Sequence, residues 1–188
     1  MKSKLFISQT ISMLFVLLAV PACVRADAAS DWNAIAVQST ITAARPGQTG
    51  MIDVAMVQLA VYDAVQAIEK KYEPYYVEIP GASGSPEAAA AKAAHDVLVS
   101  RFPAQAANLD TTYQQYMFNH GLADNDPGIA AGAKAAAGII ALRACDGSFP
   151  NPAPPPFIGG TDIGVWRPTP PGNLPMLAPW LGNVRLSQ

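Results

Sequence analysis

Two histidines, His95 and His120, are the only imidazoles in the 188 residues, so any histidine-based acid–base or metal chemistry must start from them. They stand on separate helical patterns, with no cysteine or paired carboxylates at ligand spacing, and a metal site is not expected. His95 falls at helical spacing from Lys92, Asp96 and Val99, which places it along a polar stripe and predicts an exposed or half-exposed side chain. His120 precedes Gly121 at a helix end, where an imidazole interacts favourably with the last carbonyls. Asp53 and Asp63 lie nearly three helical turns apart, roughly on one side, and could pair, although hydrogen bonding in helix packing is the stronger expectation.

Three further groups invite a chemical reading and favour a plain one. Asp124-Asn125-Asp126-Pro127-Gly128 has the look of an opening calcium loop, but the closing position, where such a loop needs Glu, is Ala135. A helix cap and turn explains it better. Gly81-Ala82-Ser83-Gly84 is neither a phosphate loop nor a nucleophile elbow. Cys145 lies at helical spacing from Ile139 and Leu142, which predicts a small buried core residue rather than a nucleophile. Nothing brings together a nucleophile, a base and an oxyanion site. No catalytic, cofactor-binding or metal residue is therefore expected in this chain.

The elements that would position these residues begin after a leader. Lys2 and Lys4 precede the apolar run 14–20, then Pro21 and small residues, the layout of a secretory signal peptide with cleavage after Ala26. Ser8, Gln9, Thr10 and Ser12 leave the run too short for a transmembrane anchor of about 20 residues. A lipobox reading of Val20-Pro21-Ala22-Cys23 ranks second because Pro21 fits it poorly. The mature chain is then exported, periplasmic or secreted, with no stable membrane span. Cleavage leaves nine basic residues against 14 acidic ones, with Cys145 as the only thiol. That balance argues against a nucleic-acid binder, which normally shows clustered positive charge.

Hydrophobic residues at 51%, charged residues at 14% and 34 alanines point to closely packed helices. Five helical patterns follow. The first, 32–44, is capped by Asp31 and ended by Arg45-Pro46-Gly47. The second, 51–71, is apolar on most sides except at Asp53, Gln58, Asp63 and Gln66, which predicts the central, buried helix. After a connection over 72–85, Ser85-Pro86-Glu87 opens the third, running to about Arg101. Pro103 starts the fourth, with Leu109, Tyr113, Tyr116 and Met117 on one face and Gly121 closing it. Asp126-Pro127 opens the fifth, to Cys145, in which Gly128, Gly132, Ala136 and Ala137 permit close approach of a neighbour. The fold class is all-α, with residues 27–146 as a helical bundle domain.

Residues 147–188 read as an extended, Pro-rich segment. Ten of the 17 prolines fall between Pro150 and Pro179, yet Phe157, Trp166, Trp180, Leu174 and Met176 are too apolar for a linker. This predicts a tail that packs on a surface outside the chain, self-association through its exposed apolar groups, and a truncated chain.

Several strings together resemble the N-terminal helical region of bacterial vanadium-dependent haloperoxidase-like proteins, of the type-2 phosphatidic acid phosphatase superfamily. They are Asp31-Trp32-Asn33-Ala34-Ile35-Ala36, Ala60-Val61-Tyr62-Asp63-Ala64-Val65-Gln66-Ala67-Ile68, Tyr72-Glu73-Pro74-Tyr75, Ala93-Ala94-His95-Asp96-Val97-Leu98, Phe102-Pro103-Ala104-Gln105 and Gly164-Val165-Trp166-Arg167-Pro168-Thr169-Pro170-Pro171. The resemblance implies that the chain is a fragment of a larger helical enzyme, and that the catalytic motifs, Lys-x6-Arg-Pro, Pro-Ser-Gly-His and Ser-Arg-x5-His, belong to a C-terminal bundle missing here. Arg167-Pro168 is not the end of the first motif, since Gly160 stands where it needs Lys, and Gln58 stands where the family often has His. Vanadate is implied as cofactor of the full-length parent and not of this chain. The expected role is an exported scaffold portion of a haloperoxidase-like or acid-phosphatase-like protein, inactive alone. The alternative is a self-sufficient periplasmic helical binding module.

Overall fold

The computed structural model describes residues 27–150, 152 and 154–185. The leader reading, with Cys23, lies outside the described residues. Among the described residues every regular element is helical: α1 (Ala28–Thr42), α2 (Gly47–Glu69), α3 (Pro86–Arg101), α4 (Ala106–Asn119) and α5 (Pro127–Arg143), with short 3-10 turns at Pro103–Gln105 and Pro179–Asn183. The all-α expectation of five helices holds.

Local chemistry explains most boundaries. Ser85 caps α3, its hydroxyl accepting from the Ala88 amide at 3.2 Å, with Pro86 in the first turn. Asp126 caps α5 through the Gly128 amide at 2.7 Å, and the same oxygen accepts from the Ser85 amide at 2.9 Å, so one carboxylate ties two helix starts together. At the end of α4, the amides of Leu122 and Gly121 bond the carbonyls of Met117 and Phe118, and Gly121 takes the left-handed φ of +64° that this closure needs. The cap of α1 is Asp27 rather than Asp31, which sits in the first turn: the helix starts one turn earlier because Asp27 reaches the Ser30 amide at 2.8 Å.

The central helix is α3, not α2. Ala88 to Ala91, Ala93, Ala94, Val97 and Leu98 are all buried, and α3 touches each of the other four helices. Methyl-sized side chains on nearly every side let backbones approach all round, an advantage of size that the apolar character of a helix does not reveal. The closest approach is to α5, where a Cβ built on Gly132 would stand 2.3 Å from the Ala89 carbonyl oxygen. Gly128 and Gly132 stand against α3 and its cap, and Ala136 is buried, as expected, whereas Ala137 is exposed and Ala135 is buried.

The second helix leaves part of its apolar surface outward, with Met51 70% exposed, beside Val37 and Ile41 of α1. By length and composition α2 is the one described helix able to cross a membrane, a test that core helices of soluble proteins also pass. Its two aspartates, however, are fully buried and tie it to other parts of the chain.

Beyond Asp146 no α-helix forms among the described residues. The segment leaves α5 through Asp146, whose carboxylate pairs with Arg143 at 2.8 Å and accepts from the Ser148 amide at 2.8 Å. It returns to the same place, where the Arg185 amide donates to the Asp146 carbonyl at 2.8 Å. Between these ends Trp166 and Trp180 are half-buried, and Ile158, Ile163, Leu174 and Leu177 lie open to water.

Candidate functional site

The two buried aspartates of α2 do not pair with each other; each anchors a different part of the fold. Asp63 accepts amide hydrogens from the 70–85 connection: Tyr75 at 2.6 Å, Tyr76 at 3.1 Å and Val77 at 2.9 Å. Gln66 accepts from the Tyr72 amide at 2.9 Å, and the Tyr62 hydroxyl donates to the Glu73 carbonyl at 2.9 Å. Three α2 side chains thereby satisfy a loop with no ladder of its own. They also set Val77 against Gly138 of α5, where only a missing Cβ leaves room for the valine methyls. The strings Tyr62-Asp63 and Tyr72-Glu73-Pro74-Tyr75 are thus halves of one packing unit.

Asp53 lies between two arginines. Arg101 Nε donates to its Oδ1 at 2.6 Å, and Arg45 Nε forms an ion pair with its Oδ2 at 3.2 Å. The Arg45 guanidinium also donates to the Arg101 carbonyl at 2.9 Å, and the Arg101 guanidinium stacks on Phe149, 3.6 Å from the ring centre. Two positive charges share one buried carboxylate, so the cluster retains a net positive charge. Sequence reasoning treated Arg45 only as part of a helix stop and Arg101 only as a helix end. An acidic residue on an otherwise apolar helix, with an arginine at a nearby helix boundary, is the signal the sequence offers.

His120 stands at the end of α4, as the sequence places it, whereas the exposure expected of His95 does not hold. His95 is buried, not exposed: its Nδ1 meets Asp96 Oδ1 and its Nε2 meets Asp110 Oδ1, each at 2.8 Å. Its stripe is covered because α4 lies over it, bringing Asp110 and the Tyr113 ring. At His120, Nδ1 meets Glu87 Oε1 at 2.5 Å, and the ring stacks on Tyr116 at 3.9 Å. Both imidazoles therefore join α3 to α4 through carboxylates. Burial raises the Tyr116 hydroxyl pKa, and the Glu87 carboxylate beside it adds to the rise.

Burial also pushes the Asp96 carboxyl upward, but hydrogen bonds from His95 and Lys92, with the Lys92 charge, outweigh it and hold its pKa below the ordinary carboxylate value. A depressed folded value means that the stabilisation is present above the unfolded value of about 3.9 and is lost as pH falls through the folded one. Asp96→Asn is accordingly expected to flatten the acid limb of the stability curve. Urea midpoints measured from pH 6 downward check this; an unchanged acid slope would contradict it.

The remaining candidates are placed as follows. Cys145 is exposed rather than buried, because α5 ends at Arg143 and the cysteine falls in the turn beyond it. Asp126 acts as the expected cap. Gln58 is half-exposed and donates to Asn33 Oδ1 at 3.2 Å, linking α2 to α1. Arg167 is exposed, with its guanidinium on the Thr161 carbonyl at 2.9 Å. Among the described residues no group of three or more His, Cys, Asp and Glu gathers to hold a metal ion. Compared with known proteins, the chain matches no family model, no curated protein and no solved structure.

Proposed function

We propose that the chain is the exported N-terminal scaffold portion of a vanadium-dependent haloperoxidase-like or acid-phosphatase-like protein, carrying no catalytic group itself and working against a C-terminal catalytic helical bundle. The resemblance of its motif strings motivates the reading. The observation that carries it is the segment after Asp146, both of whose ends are held at the turn that follows α5 while its aliphatic side chains, Ile163 fully among them, face water. Such groups in a row are surfaces for a protein neighbour.

The described residues do not fit vanadate. An oxyanion cradle with a histidine ligand would need an imidazole beside clustered cations. Here both imidazoles face carboxylates, Lys92 pairs with Asp96, and Arg101 and Arg45 converge on Asp53 with no histidine beside them. The scaffold role accordingly involves positioning and no chemical step.

Purified residues 27–188, given vanadate, hydrogen peroxide and bromide, are expected to show no halogenation, and no hydrolysis of a phosphate ester. Vanadate-dependent bromination would overturn the reading. The reading frame beyond the Gln188 codon, with its neighbouring genes, supplies the second test. Pro-Ser-Gly-His and Ser-Arg-x5-His are expected there, and a stop codon with no such neighbour favours the self-sufficient binding module instead.

A further inference from the structure

A cleft of about 590 Å³ opens between the start of α2 and the segment after Asp146. Its volume lies within the roughly 300–1,000 Å³ of small-molecule sites, and its lining has their usual division into a broad apolar wall and few polar groups. Phe149, Met176, Leu177 and Trp180 supply the wall, whereas Arg45 and Thr49 supply the polar end. No carboxylate lines it.

The charge at the polar end is fixed in place. Arg45 is held by Asp53 at 3.2 Å and by the Arg101 carbonyl at 2.9 Å, and Asp53 is shared with Arg101, so one positive charge is left over. Those contacts use Nε and one terminal nitrogen of Arg45, and its other terminal nitrogen has no protein acceptor among the described residues. Beside it, Pro46 offers α2 no side-chain cap, and the first amides of the helix have no acceptor among the described residues. A held cation with spare donors favours an anionic group, since charge-assisted hydrogen bonds are stronger than neutral ones.

We propose that this cleft binds a small amphipathic carboxylate, its head on Arg45 and its hydrocarbon part between Phe149, Met176, Leu177 and Trp180. An inorganic anion would leave the apolar wall uncovered, and a neutral hydrocarbon would leave the spare charge unanswered. The site is independent of the scaffold reading, because it needs only residues of this chain.

Calorimetric titration of the full chain with decanoate, below its micelle-forming concentration, tests the proposal, with decanol and inorganic phosphate as comparison probes. Saturable one-to-one binding is expected for decanoate, at least about tenfold tighter than for either comparison. Arg45→Gln should weaken decanoate by about tenfold or more. Because that change also disturbs Asp53, Leu177→Asp provides a second variant at a site 78% exposed, where folding is preserved and a carboxylate replaces part of the apolar wall that the hydrocarbon needs. It should also weaken decanoate by at least about tenfold, with an unchanged melting temperature. Absence of saturable decanoate binding, equal affinity for decanol, or undiminished binding by Leu177→Asp would each overturn the proposal.

Discussion

Asp53→Ala is expected to cost the protein about 3 kcal/mol of stability, read as a shift in the chemical-denaturation midpoint. Removing one partner of a buried ion cluster costs roughly 3–5 kcal/mol, because the charges left behind lose their counterion without regaining full hydration. Asp53 is fully buried, whereas the side chains of Arg45 and Arg101 keep 31% and 20% of their surface exposed and recover some water. The lower end of the range follows. The damage should also spread along the chain, since Arg101 is the platform beneath Phe149. Amides after Asp146 should exchange faster in the variant than in the parent, while those of α4 change less. A loss below about 1 kcal/mol would put the cluster in the class of exposed surface pairs and contradict this account.

Gly132→Val is the second large effect, with an expected loss of about 3 kcal/mol or more. A Cβ there would meet the Ala89 carbonyl oxygen at 2.3 Å and the Ala93 amide nitrogen at 3.0 Å. Both are backbone atoms of α3, so no rotamer change relieves the clash and α5 must move away from the central helix. The better helix propensity of most residues over glycine, worth under about 1 kcal/mol, does not offset this. Gly138→Ala should cost less, because its nearest obstacle is a Val77 methyl at 2.4 Å, which belongs to a side chain on a loop. Gly182→Ala, with nothing within 4 Å, serves as the reference of little change. Melting temperatures in the order Gly182→Ala, Gly138→Ala, Gly132→Val, highest first, are the expected result.

Local chemistry carried the sequence reading furthest. Ser85-Pro86, Asp126-Pro127 and Gly121 act within a few residues of themselves, so their spacing was enough to place the starts of α3 and α5 and the end of α4. The choice of central helix failed for a reason of size. The α2 pattern is the more hydrophobic to read, but α3 is mostly alanine, and small side chains win the middle of a bundle by admitting four neighbours at short range. The partners of buried polar groups are not legible in local patterns. Asp53 finds Arg101 48 positions away, and His95 finds Asp110 on the next helix, pairings set by packing rather than by any local pattern. Cys145 shows the same limit at finer scale: a helix ending two residues early turned a predicted core thiol into an exposed one.

The contact between Arg185 and Asp146 gives the long segment a property that its irregular course conceals. Its two feet stand side by side at the end of α5, so in the geometry of the backbone the forty or so residues between them are a detour. Closing a flexible loop costs only about 0.6 kcal/mol more for each doubling of its length. Evolution can therefore lengthen, shorten or rewrite the detour without moving the point at which the chain resumes its path. The helical domain and the foot at Arg185 form a fixed frame, and the length of the segment between them is free to vary away from the residues that line the cleft.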